Sequence, residues 1–306
     1  MRLHGKKSKG QVMIPIYPQF KDISIDDFQD IAKKLAPYHP TICELNPANL
    51  IIWQEFDQPK ITMINNNLCI LICAINDDCF FLEPIGKNET MATIDTCLKH
   101  CHKMSRLSEQ FVSQLPADKY KLKELSDQND YTYKVKDLAE LKGRNFDGKR
   151  NHINSFKKRH PNYEYANLLK SDQQAAYTLF DQWFGPKKET ILVPQVAYSA
   201  QKSALLNAFK YFSELKLSGA KITIEEKPIG FILGSQLNQN TFNAHFQYSD
   251  PEYKGTSQVL LWEACNKTIG HYERVNLEQD LGIAGLRKAK LSYYPDKIEK
   301  KFEIIL

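Results

Sequence analysis

Two short segments of this chain concentrate side chains that recognise anions and move protons. Residues 143–160 read GRNFDGKRNHINSFKKRH, and residues 276–295 read NLEQDLGIAGLRKAKLSYYP. In the first, helical spacing over 147–160 turns Ile153 and Phe156 to one side with His160, and Arg150, Asn154 and Lys157 to another. Arg150 can hold a phosphate or carboxylate bidentately, while Arg144, Lys149, Asn151, His152 and Asn154 add charge and directional hydrogen bonds. The run Lys157-Lys158-Arg159 reads equally well as a solvated face.

In the second segment Asp280 caps a helix expected over 282–291. Gly282 and Gly285 permit close backbone approach there, and Arg287, Lys288, Lys290 and Tyr293 crowd the later turns. A helical glycine loses up to ~1 kcal/mol relative to alanine, so packing or ligand access explains the pair better than propensity. The cations could instead only complement the helix dipole. Proton acceptors are Glu278, Asp280 and His245, although each alone also reads as structural: a strand-end carboxylate, a helix cap and a packed strand histidine. Together the groups suit attack of an amine on an ester, which requires positioning, loss of a proton and stabilisation of an oxyanion, with no covalent nucleophile.

The elements that must position these residues follow a pattern used twice. Ser24 caps a helix through Ile25, Phe28, Ile31, Ala32 and Leu35, which Pro37 and Pro40 end. Strands are expected at 50–56, 60–64, 68–75 and 79–84, then an amphipathic helix over 89–104. The second half predicts helices at 172–184 and 199–215, strands at 220–225, 229–237 and 241–247, and a helix at 257–272. A strand at 274–276, the helix at 282–291 and a strand at 300–306 complete it. This order predicts an α+β architecture in which helices cover mixed, mostly antiparallel sheets. The polar stretch 127–130 divides it into domains 1–128 and 129–306, the second carrying the site.

Composition bounds these readings. A chain of 306 residues accommodates two cores. Its 41 Lys and Arg against 36 Asp and Glu leave +5, compatible with an anionic partner but far from a nucleic-acid tail. Seven cysteines at irregular positions predict core thiols in a reducing cytoplasm. Cys69 and Cys73, and Cys97 and Cys101 beside His102, are spaced more widely than a zinc knuckle, so no metal is expected. The basic start, 1–9, lacks an apolar h-region, and the longest apolar run, 68–75, is far short of the ~20 residues that span a bilayer. A cytoplasmic protein without a transmembrane segment is therefore expected, and no nicotinamide or flavin motif is present.

Residues 250–261, DPEYKGTSQVLL, lie between a strand and a helix and resemble the acyl-CoA loop of GNAT acyltransferases, where glycines let helix N-terminal amides approach the pyrophosphate. Gly255, Thr256 and Ser257 are the candidate coenzyme contacts. Ser257 and Gln258 stand where small residues or glycine belong, which disfavours acyl-CoA relative to a donor held by side chains.

Residues 141–154 and 276–293, with Asn49-Leu50-Ile51-Ile52-Trp53, resemble the phosphatidylglycerol lysyltransferase C-terminal-domain family in its stand-alone soluble branch. The resemblance covers most of the chain and implies two tandem GNAT-like domains. It also implies transfer of an acyl or aminoacyl group from an activated donor, such as aminoacyl-tRNA, to an amine or hydroxyl acceptor. The partner it implies is a small anionic substrate or aminoacyl-tRNA. Because the branch lacks the membrane-spanning half of the lipid-modifying enzymes, any lipid would be met by peripheral membrane contact. The chain departs from the branch after His245, where Phe246-Gln247-Tyr248 replaces a Glu-Lys pair. That departure and the altered loop leave a second class open: a non-catalytic module that binds a tRNA acceptor end, a nucleotide or an acidic metabolite.

Overall fold

A computed structural model describes residues 13–75, 77–184 and 195–305. The basic start, 1–9, lies outside the described residues. Strand β1 (Lys21–Asp22) leads into helix α1 (Phe28–Leu35) through a turn in which the Ser24 hydroxyl and amide both donate to the Asp27 carboxylate at 2.9 and 3.0 Å. Then follow α2 (Pro47–Ile52), α3 (Gln54–Asp57), β2 (Lys60–Ile64), β3 (Asn67–Ile72), β4 (Phe80–Phe81), α4 (Thr90–Cys101), β5 (Met104–Ser108), α5 (Glu109–Val112) and β6 (Lys121–Glu124). The second half runs β7 (Asp130–Lys134), α6 (Val135–Glu140), α7 (Asp147–Arg159), β8 (Glu164–Asn167), α8 (Gln173–Phe184) and α9 (Gln195–Lys210). It ends with β9 (Ser218–Ile224), β10 (Lys227–Asn238), β11 (Thr241–Ser249), α10 (Thr256–Lys267), β12 (Arg274–Asn276), α11 (Ala284–Leu291), β13 (Lys297–Glu299) and β14 (Lys301–Ile305).

One expected strand is a helix. Residues 50–56 form the end of α2 and most of α3, because Asn46 accepts the Ala48 amide at 2.9 Å and Pro47 occupies the first helical position. Leu50, Ile51 and Ile52 are all buried, since α2 lies in the apolar layer between the two halves. A helix apolar all round has no periodicity to distinguish it from a buried strand.

The first sheet has the order β1-β2-β3-β4-β5-β14-β6 and the second β13-β7-β12-β11-β10-β9-β8. Both are antiparallel except for the β4–β5 and β11–β12 pairs, so the α+β architecture holds. The last strand, β14, is built into the first sheet, so a cut at 128/129 would separate it from its neighbours. The chain crosses from β13 to β14 at Lys300, which sets Lys301 at the seam. Its fully buried ammonium lies 2.6 Å from both Glu44 and Asp130.

The described residues form three apolar clusters. The central one joins Ile31, Ile51 and Ile70 of the first half to Phe180, Phe209, Phe231 and Phe246 of the second. Each such side chain contributes about 1.5–3 kcal/mol when buried, so the halves share one core rather than touching through a linker. The cysteines differ from the reading as thiols: Cys73 and Cys79 form a disulfide, because the loop between β3 and β4 returns them to adjacent positions. Cys43, Cys69, Cys97 and Cys265 are buried free thiols.

Candidate active site between the two sheets

The two motifs singled out in the sequence do meet. Lys149 on α7 donates to the Ser292 hydroxyl at 2.6 Å and sits 3.5 Å from the Tyr293 ring centroid, while Phe146 meets Tyr294 edge-on. The contact is packing, however, and burial lowers the Lys149 ammonium to about 8. Arg150 donates to the Leu141 carbonyl, to the Gly143 carbonyl at 2.9 Å and to the Asp147 carboxylate. It therefore closes the C-terminus of α6 instead of holding a substrate. Ile153 and Phe156 bury one side of α7, and that phase leaves Arg144, Asn151, His152 and Asn154 exposed.

The second motif is likewise engaged internally. Arg287 donates to both Asp280 oxygens at 2.7 and 2.9 Å and to Asp127 at 2.7 Å. Asp280 also accepts the Tyr131 hydroxyl at 2.5 Å and the Gly282 amide at 2.8 Å. Burial would raise this carboxyl, but the donors hold it below its usual range, so it anchors the loop rather than accepting a proton. Lys288 is exposed, and Tyr293 packs edge-on to Tyr133. Among the described residues, no atom beyond its chain neighbours and its own helix backbone lies within 4 Å of a Cβ built on Gly285, so its position imposes no close approach.

The coenzyme candidates are also accounted for by packing. Gly255 has φ +98°, and an added Cβ would stand 3.1 Å from the His152 carbonyl and 3.2 Å from Phe156, so α7 makes the close approach that a pyrophosphate would make. Thr256 donates to the Tyr253 carbonyl at 2.6 Å, and Ser257 pairs with Ser249 at 2.7 Å.

What gathers around a cavity is a different set. Asn243 and His245 alternate on β11 and so face the same side, toward α2. There the Glu278 Oε1 accepts from Asn243 at 2.5 Å, from Asn49 at 3.0 Å and from His245 Nδ1 at 3.0 Å. Because a carboxylate only accepts, the Nδ1 carries the proton and the Nε2 is free to accept the Ser235 hydroxyl, 2.8 Å away. Glu278 has φ +60°, a conformation that strains a non-glycine residue by ~1–3 kcal/mol. Lys290 offsets it, donating to the carbonyls of Leu277, Glu278 and Gln279, the last two at 2.9 and 2.6 Å. Burial lowers this ammonium to about 8, against the pull of Glu278 and Asp130.

Glu278 borders a cleft of about 180 Å³ shared by both halves, lined also by Asn49, Trp53, Phe56, Asp57, Arg106 and Gln279. Burial pushes the Asp57 carboxyl up to about 6, against the attraction of Arg106. Asn49 and Asn243 are buried, and their Oδ1 atoms have no hydrogen-bond partner among the described residues. A buried, unpaired acceptor is costly, so two of them beside a carboxylate form a place that lacks donors. Cys43 and Glu44, which also line the cleft, and Asp130 lie close enough together to ligate a metal, but the Lys301 ammonium supplies the positive charge there.

Of the residues proposed from the sequence, the structure thus brings Glu278 and His245 into direct contact and uses the others as supports or leaves them on the surface. Sequence reasoning missed Asn49, Asn243, Trp53, Asp57, Arg106 and Ser235. The Asn243-x-His245 alternation on an expected strand is the signal the sequence offers; the strand reading of 50–56 hides Asn49, which lies just before it on α2.

No helix among the described residues is long and apolar enough to cross a membrane. The sequence profile described as "Phosphatidylglycerol lysyltransferase, C-terminal" matches residues 35–305. An uncharacterised protein of Mycoplasmoides gallisepticum is 26% identical over 175 residues; the match spans 56% of this chain and about half, 54%, of that relative. A conserved protein of unknown function from Bacteroides thetaiotaomicron superposes with a TM-score of 0.86 at 28% identity, over 96% of this chain and 100% of the other. The C-terminal domain of a putative lysylphosphatidylglycerol synthetase from Agrobacterium fabrum gives 0.62 at 12% identity, over 92% of each chain, which shows a common fold.

Proposed function

Since the chain belongs to the phosphatidylglycerol lysyltransferase C-terminal family, with two GNAT-like halves, we propose that it transfers an aminoacyl group from aminoacyl-tRNA to an amine or hydroxyl acceptor, in the cleft at Glu278. One observation carries this reading: a carboxylate fixed by three donors beside two unpartnered amide oxygens. The neutral acceptor amine supplies the hydrogens that Asn49 and Asn243 lack. Its attack on the ester carbonyl forms a C–N bond as the C–O bond to the ribose breaks. Glu278 takes the proton from the attacking nitrogen and returns it to the departing ribose oxygen, while the His245 Nδ1 hydrogen bond holds the carboxyl in place. In this reading Arg106, which also lines the cleft, contributes positive charge against the developing oxyanion. The donor is bound by side chains, in keeping with the packing around Gly255, and a cytoplasmic location belongs to the same proposal.

The test is transfer of radiolabel from a set of charged tRNAs to a panel of amines and alcohols. Turnover that Glu278→Gln lowers by about 10²–10⁴-fold is expected. No turnover with any donor, alongside saturable binding of tRNA or a nucleotide, would replace the enzyme by a binding module.

A further inference from the structure

A second cavity, of about 270 Å³, opens on the other side of the polar seam and is bordered by Ser235 and Asn46. Its wall is apolar at Phe28, Leu35 and Leu237, and Lys216 stands at its edge. Ser235 is 4% exposed and belongs to none of the contacts used in the transfer proposed above. We propose that Ser235, His245 and Glu278 form a nucleophilic triad that cleaves a small acyl ester entering this second cavity.

The geometry has each required contact. The Ser235 hydroxyl lies 2.8 Å from His245 Nε2, and His245 Nδ1 lies 3.0 Å from Glu278. The tautomer that Glu278 enforces leaves the Nε2 as base, the role such a serine needs. The Asn46 Oδ1 is committed to the Ala48 amide at 2.9 Å, so its Nδ2 is the atom presented to Ser235, 3.1 Å from the hydroxyl oxygen. We assign to this amide, which already donates beside the nucleophile, the oxyanion that forms next to the serine oxygen. Asn46 is fully buried and caps α2, which makes the donor rigid. The alternative partner of the hydroxyl, the Asn46 Oδ1, is farther, at 3.3 Å.

In the reaction the Ser235 oxygen attacks the ester carbonyl while its proton passes to His245 Nε2. The C–O bond to the alcohol breaks and the alcohol leaves with that proton. Water then gives a proton to His245, attacks the acyl carbon and releases the carboxylic acid, restoring the serine. Ester and water become acid and alcohol, with no other reactant. The cavity volume and apolar wall select a short, uncharged acyl group.

The probe is an alkyl fluorophosphonate incubated with the full chain without tRNA, with the adduct located by peptide mass spectrometry. Labelling at Ser235 is expected, together with p-nitrophenyl butyrate hydrolysis that falls about 10²–10⁴-fold in Ser235→Ala and in His245→Gln. Wild-type protein that stays unlabelled at Ser235, or labelling that His245→Gln leaves unchanged, overturns the triad. Because no tRNA is present, this result stands or falls separately from aminoacyl transfer.

Discussion

The Lys290 ammonium donates to the backbone carbonyl of Glu278 at 2.9 Å, so a lysine that sequence spacing assigns to substrate instead holds the backbone of the central carboxylate. It reaches from α11 to three consecutive carbonyls and stabilises a left-handed residue that has no glycine to ease it.

Replacing Lys290 by Met is therefore expected to lower stability by about 2–4 kcal/mol, because buried carbonyls lose their donors. Urea unfolding measures this. A variant as stable as the parent would mean that the loop at 277–279 holds its shape without the lysine.

At the seam, Lys301→Met leaves Glu44 and Asp130 as buried carboxylates without a cation, and about 3–5 kcal/mol should be lost. Adding Asp130→Asn to that variant should recover part of the loss, since one uncompensated charge is removed. Additive effects in the double-mutant cycle would contradict a coupled cluster.

Asp57 gives a pH dependence with a definite sign. Its carboxyl titrates near 3.8 in the unfolded chain and about 6 in the folded protein. Its contribution to stability is thus full below about 3.8 and is lost as pH rises through about 6. The urea midpoint of the parent should fall relative to that of Asp57→Asn as pH rises from about 3.8 to about 6; a difference that stays constant from about pH 3.5 to about 7 counts against the assignment.

Arg150 and Glu278 separate support from chemistry. Arg150→Ala removes the closure of α6 and should lower stability by about 1 kcal/mol while leaving transfer within roughly threefold of the parent. Glu278→Gln should do the reverse, abolishing most transfer in the same charged-tRNA assay. Loss of transfer in Arg150→Ala protein that remains folded would return the arginine to the substrate site.

Much of the architecture was legible because local patterns agree with the final fold. The strands at β2, β10, β11 and β12 and the helices α7, α8 and α10 carry clear periodicity and lie close to where the sequence places them. The failures have physical causes. α2 is buried on every side, so Leu50-Ile51-Ile52 shows no amphipathic alternation, and its capping Asn46-Pro47 pair was the missed signal. Cys73 and Cys79 are separated by a loop whose return decides their pairing, and no spacing rule specifies that.

The sequence by itself determined the α+β class and the family, since these rest on residue type, local period and motif. Tertiary structure alone decided which polar groups are free. Arg150, Arg287 and Lys290 are strong donors to any acceptor within reach, and only the folded chain shows that carbonyls and carboxylates of the protein reach them first. Conversely, Asn49 and Asn243 are ordinary amides in sequence, one in each half of the chain. The fold brings both to Glu278 and, among the described residues, leaves their oxygens without hydrogens to accept.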